Sequence, residues 1–142
     1  MTTLVERAAP LIATLCLATT LSPESKAQSD YSKYCLGQDH SQSTQLVCAL
    51  SRKLEIPPTK IGLAMVFASI QMTGTYCKLN FTRAFLDARI KAETDPEIAK
   101  ASRFLIELYK EKPPPGYNGD DKVFCKIQRE TFGPDSQAKF FQ

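Results

Sequence analysis

Hydrophobic positions along the chain fall into six groups whose spacing predicts helices rather than strands. Residues 8–21 form an apolar run of mostly Ala, Leu and Ile, broken by Pro10, Thr14, Thr19 and Thr20. Residues 28–42 are polar and are expected to be extended or loosely turned. From Ser43 onward, Leu46, Val47, Leu50 and Leu54 recur at helical spacing, with Arg52, Lys53 and Glu55 on the other side. Ser41 or Ser43 is available as N-cap, and the helix over 42–54 stops before Pro57-Pro58. The next segment, 61–70, is apolar nearly all round, the signature of a helix buried on most faces, and it is expected to form the centre of the core within a helix over 58–72. Val66, Phe67 and Ile70 also suit a short buried strand, the competing reading.

Asn80 is placed to cap a third helix with Phe81, Phe85, Ala88 and Ala92 on one face. Thr94-Asp95-Pro96-Glu97 combines a capping box, proline in the first turn and negative charge against the helix dipole. Ile98, Ala101, Leu105 and Leu108 form the inward stripe of the helix it opens, widened by Phe104 and Tyr109. Pro113-Pro114-Pro115-Gly116 ends it, and Asn118-Gly119-Asp120 restarts the chain into a last helix carrying Val123, Phe124, Ile127 and Phe132. Gly133-Pro134 closes that helix, and the tail to Gln142 is expected to fray. The predicted fold class is all-α: about five helices around one core.

The first 27 residues read as a secretory signal peptide. Arg7 and the terminal amine outweigh Glu6, the apolar run has signal-core length and is too short to span a bilayer, and Ser22-Pro23 stops it. Ser25 and Ala27 are small residues at −3 and −1, which places cleavage after Ala27. A buried first helix or an uncleaved anchor is the plainer alternative. A lipid anchor on Cys16 is rejected, because Leu15 before it is not small and the product would begin inside the apolar run. The expected organisation is a signal peptide over 1–27 and a single helical domain over 28–142, periplasmic or secreted.

Removing the leader sharpens the arithmetic. The chain of 142 residues carries 18 Lys and Arg and 15 Asp and Glu. The leader holds Glu6, Arg7, Glu24 and Lys26, so 16 basic and 13 acidic residues remain, still +3. Those charges are interleaved, which implies neither a nucleic-acid stripe nor a polybasic membrane patch, and no membrane segment remains after cleavage. Four cysteines stay: Cys35, Cys48, Cys77 and Cys125. In an exported domain an even set reads as two disulfides, and no pair is spaced as CxxC. Of the three connectivities, a helical-hairpin argument favours Cys35–Cys77 with Cys48–Cys125, since the end of the second helix would return towards the start of the first. Closing such loops would stabilise by roughly 4 kcal/mol each in the chain-entropy model.

Candidate chemistry is sparse. His40, the only histidine, stands beside Asp39 in a polar stretch. A small hydrolase using Asp39 and His40 would need a nucleophile and an orienting group brought there by the fold, and no GxSxG, HExxH or P-loop accompanies them. Asp120-Asp121 lacks the alternating oxygen ligands of a calcium loop, so capping explains it better. No catalytic residue, metal ligand or cofactor is assigned. Asn80-Phe81-Thr82 fits a glycosylation sequon that matters only in a eukaryotic secretory pathway. Pro114-Pro115-Gly116-Tyr117 matches the PPxY pattern of polyproline ligands, yet reads more simply as a rigid connector, with Tyr117 the candidate aromatic contact for a partner.

The segment 77–125 carries one further pattern: Cys77, Thr82, Leu86, Ile90, then Asp95-Pro96-Glu97, Ala101, Leu105-Ile106 and finally Phe124-Cys125. It resembles the small periplasmic Tai-type immunity proteins of type VI secretion, in which a Cys and a Thr precede a helix, a Pro-Glu step opens the next, and a Cys closes the domain. The resemblance covers less than half the chain. The proline expected soon after the first of those cysteines is missing, and the connector 113–119 is inserted before the last. It implies a protein partner, a cell-wall amidase effector that the immunity protein inhibits, and no catalysis. Without it, the residues point to an exported, non-enzymatic helical protein that binds a protein or cell-envelope partner. The apolar helix faces suit a second copy as well as a monomer core, so a homo-oligomer stays open.

Overall fold

The structure, a computed structural model, describes residues 23–37 and 41–142. Six helices occur among them, in the order α1 (Pro23–Cys35), α2 (Gln42–Leu54), α3 (Pro58–Tyr76), α4 (Arg83–Ala92), α5 (Pro96–Leu108) and α6 (Asp121–Phe132). The described residues form no strand beyond one isolated antiparallel bridge, Phe81 with Phe141. The fold is therefore all-α and stapled by two disulfides, and 61–70 is helical as part of α3.

Helices α2 to α6 occupy the predicted stretches, because each has a physical start and stop. Ser41 caps α2 by accepting from Thr44 N, and Glu55 ends it in the left-handed region at φ 57°. The third helix on the sequence pattern, α4, is capped by Thr82 instead of Asn80: the Thr82 hydroxyl oxygen accepts from Phe85 N. At α5 the N-cap is Asp95 rather than Thr94, its carboxylate accepting from Glu97 N and Ile98 N. Asp120 caps α6 through Val123 N, as a capping role for that pair requires.

Residues 28–35, expected to be extended, belong instead to α1. The apolar periodicity of a self-standing helix is missing there, and the segment is held by what it meets. Asp30 accepts from the Thr59 hydroxyl at 2.8 Å, Arg52 stacks over the Tyr31 ring at 4.9 Å, and Cys35 is bonded to Cys48. Pro23, read as a stop, opens the helix, where a fixed φ and a missing N–H do no harm. The cleavage point expected after Ala27 falls inside α1, and these three tethers all lie beyond it.

The observed disulfides are Cys35–Cys48 and Cys77–Cys125, which corrects the favoured pairing of Cys35 with Cys77 and Cys48 with Cys125. Helix length is the reason. α3 has 19 residues, and Cys77 lies about 20 Å along the helix direction beyond the level of Ala64. That distance carries it past α2 to the start of α6, where Cys125 stands. Cys35 closes instead on Cys48, the two helices that bear them lying side by side.

The core has two parts that meet on α3. An aliphatic part joins Val47, Leu50 and Ile56 to Ile61, Ala64 and Ala68 of α3 and to Ile98, Ala101 and Leu105 of α5. α3 packs most extensively on α5. An aromatic part gathers Ile70, Leu79, Phe85 and Phe141, with Phe67, Phe81, Phe132 and Phe140 packed around them. Of the predicted face of α4, Phe85 alone is fully buried: Phe81 precedes the helix and Ala88 is exposed.

The tail does not fray. Phe141 is completely buried, Thr82 N donates to Phe140 O at 2.9 Å, and Gln142 N donates to Asn80 O at 2.8 Å. Phe140 N and Phe141 N both donate to Phe132 O, so the chain after Gly133 folds back over the end of α6. A short sequence rich in Phe therefore closes the second core.

Candidate functional site: an apolar groove beside α3

α3 is apolar around most of its circumference, but its neighbours do not cover all of it. Leu63 and Val66 are 42% and 50% exposed, unusual for a central helix. Beside them runs an open groove of about 480 Å³. From α3 it is lined by Gly62, Met65, Val66, Ser69 and Ile70; Val47 and Ser43 of α2 and Tyr34 of α1 form one flank, and Phe132 and Phe140 close the far end.

Each wall has a local cause. Tyr34 is held at the rim by its neighbour Cys35, bonded to Cys48. Phe140 is stacked on Phe132 with ring centroids 5.6 Å apart and is fixed by its backbone bond to Phe132 O. Gly62 leaves the groove open, since a Cβ there would meet nothing within 4 Å. The polar lining consists of the hydroxyls of Tyr34, Ser43 and Ser69; among the described residues no acid, amine, imidazole or thiol lines it. Such a surface recognises shape and apolar area.

The titratable groups are organised elsewhere and join helices. Lys60 at the start of α3 bonds both Asp95, at 2.8 Å, and Glu97. The Lys60 ammonium holds the Asp95 carboxyl below its ordinary range, aided by the Glu97 and Ile98 amides, and Asp95 and Glu97 in turn raise the Lys60 pKa. At the other end of α3, Tyr76 and Tyr117 each donate to Asp121 Oδ1 at 2.6 Å. Asp121 pushes both phenols up, and Tyr117 followed by Tyr76 lowers the Asp121 pKa.

The residues singled out on the sequence are thus distributed as follows. Asp39 and His40 lie outside the described residues, as does Cys16. Tyr117 is half-buried, its hydroxyl committed to Asp121 and its ring edge-on to Tyr76 and Phe124 at 5.8 and 5.6 Å, so it anchors the proline connector to α3 and α6. Asn80 is exposed, its carbonyl accepting from Gln142. Among the described residues no grouping of three or more His, Cys, Asp or Glu is placed to hold a metal. Sequence reasoning missed the groove. Its one legible signal was that 61–70 carries more apolar surface than two amphipathic neighbours can cover.

No known protein family, curated protein or solved structure matches the chain. No helix among the described residues is long and apolar enough to cross a membrane, and two disulfides are compatible with an extracellular or periplasmic location.

Proposed function

We propose that this protein is an exported helical domain, released by cleavage after Ala27, that acts without catalysis by binding another protein. In this reading an apolar segment of the partner seats in the α3 groove. The observation that carries it is the groove itself: about 480 Å³ of almost wholly apolar wall, continuous with exposed Val66 and Tyr34. Exposed apolar surface of this kind costs solubility, and contact with a partner is its usual return. A photo-crosslinking side chain at position 66, compared with one at exposed Lys122 on α6, tests it. A discrete adduct from position 66 in envelope extract, absent from position 122 and lost when Tyr34 is changed to Asp, is the expected result. Equal labelling from both positions, or none, overturns the reading.

A narrower version takes the partner to be a cell-wall amidase, which this chain would inhibit as an immunity protein. Its support is the order of landmarks over 77–125: Cys77, then Thr82 capping α4, Pro96-Glu97 opening α5, and Cys125 on α6. That version requires a stoichiometric complex that abolishes amidase activity, measured on purified murein.

A further inference from the structure

A second cleft, of about 300 Å³, lies between the C-terminal parts of α3 and α5, around α3 from the groove. Its chemistry differs. Met72 and Ile106 give it apolar walls, Tyr109 adds a ring, and Lys110 and Lys112 line it while Glu111 between them does not. Backbone already answers two of the last carbonyls of α5, Tyr109 N donating to Leu105 O and Lys110 N to Glu107 O, and in the turn beyond it Lys112 N donates to Tyr109 O. Among the described residues neither the Lys110 nor the Lys112 ammonium bonds a carbonyl of this helix end. Within the same set Lys110 makes only a solvent-exposed pair with Glu107 at 3.5 Å, the kind worth little.

Gln71, which also lines the cleft, supplies an independent observation. Its Oε1 is shielded from water and has no hydrogen-bond donor among the described residues. A buried acceptor without a partner is costly and calls for an explanation. χ3 of a glutamine turns softly, so the amide can present its carbonyl to a donor in the cleft by exchanging Oε1 for Nε2 at the shielded position.

We propose that this cleft binds a small amphiphilic organic anion bearing an N–H or O–H donor. Its apolar body lies against Met72 and Ile106, its charge meets Lys110 and Lys112, and its donor satisfies Gln71. The cleft volume sits at the small end of ligand sites, which limits the occupant to one or two rings or a short chain. This site does not depend on the partner reading above.

The test uses the whole protein and 1-anilinonaphthalene-8-sulfonate, which combines an anion, apolar rings and one N–H. Saturable fluorescence with one site per chain is expected. Lys110→Gln with Lys112→Gln should weaken binding about tenfold, as should raised salt, because charge-assisted contacts carry much of it. The charge-matched pair Lys122→Gln with Lys126→Gln on α6 should leave it unchanged. Gln71→Leu should weaken the probe while raising the melting temperature, a combination that a purely structural role for Gln71 does not produce. Absence of binding, or binding insensitive to the Lys110 and Lys112 changes, overturns the proposal.

Discussion

The ring of Phe81 lies 2.5 Å from the point where a Cβ on Gly74 would stand, and the ring of Phe141 lies 2.9 Å from the same point. A glycine in α3 is thus the socket into which both sides of the Phe81–Phe141 bridge press. Adding a methyl forces rings against backbone in a packed core, at a cost of about 1–3 kcal/mol. The helix-propensity gain of about 1 kcal/mol only partly offsets it. Gly74→Ala should therefore lower stability in urea unfolding. Gly62→Ala, where the methyl meets nothing, should raise it by up to about 1 kcal/mol. Shifts of the same sign at both glycines would contradict the socket.

Phe141 is wholly buried in the aromatic core, so the end of the chain is structural. Phe141→Ala should cost about 3–5 kcal/mol, the usual range for deleting a buried ring. A frayed tail would lose no more than about 0.5 kcal/mol. Thermal melts of the two proteins decide between these outcomes.

Non-reducing peptide mapping should recover Cys35 linked to Cys48 and Cys77 linked to Cys125. The loops close over separations of 13 and 48 residues, so the chain-entropy model assigns them about 3 and about 4 kcal/mol. Replacing Cys35 and Cys48 with Ser should loosen α1 and speed amide exchange over residues 28–35 before the rest of the domain. Replacing Cys77 and Cys125 should lower the global melting temperature more.

The two ionic clusters set opposite pH edges. Asp95 and Asp121 have depressed pKa values, so their contribution is complete above the unfolded value near 4 and is lost as pH falls through the folded one. Lys60, Tyr76 and Tyr117 have raised values, so theirs is complete below about 10 and fades as pH climbs through the folded values. Melting temperature against pH should form a plateau between these edges. Lys60→Met should erode the acid shoulder, and Asp121→Asn should bring the phenol absorbance titration of Tyr76 and Tyr117 back towards the ordinary tyrosine range. A titration unchanged by Asp121→Asn would break the assignment.

Most helices were legible because their signals are local: the Pro96-Glu97 start, the stop at 113–116 and the periodicity of Val47 and Leu50 need no knowledge of the fold. α1 was not legible, since Asp30, Tyr31 and Cys35 are held by Thr59, Arg52 and Cys48, all distant in sequence. The tail failed for a similar reason: Phe140 and Phe141 look like two loose aromatics until Gly74 and Phe81 make room for them. Disulfide pairing depended on the true length of α3, which apolar spacing understated by one turn. Ser41 and Asp120 cap where the sequence places them. The caps of α4 and α5 fall one or two residues further on, because Thr82 stands beside Asn80, and Asp95 beside Thr94, as alternative side-chain acceptors.

Closure of the aromatic core by Phe141 has a consequence for the order in which the molecule can be made. α2, α3 and α5, with Ile56 from the turn between the first two, supply the buried aliphatic half, so that half is complete in the nascent chain once residue 108 has emerged. The aromatic half must wait until Phe140 and Phe141 have left the ribosome or the translocation channel. During that interval Phe81 and Phe85 lack the rings of Phe140 and Phe141, and until residue 125 emerges Cys77 is without Cys125. The oxidation that joins Cys77 to Cys125 therefore follows emergence of the aliphatic half, and a chaperone met before the tail arrives would find its apolar target on α3 and α4.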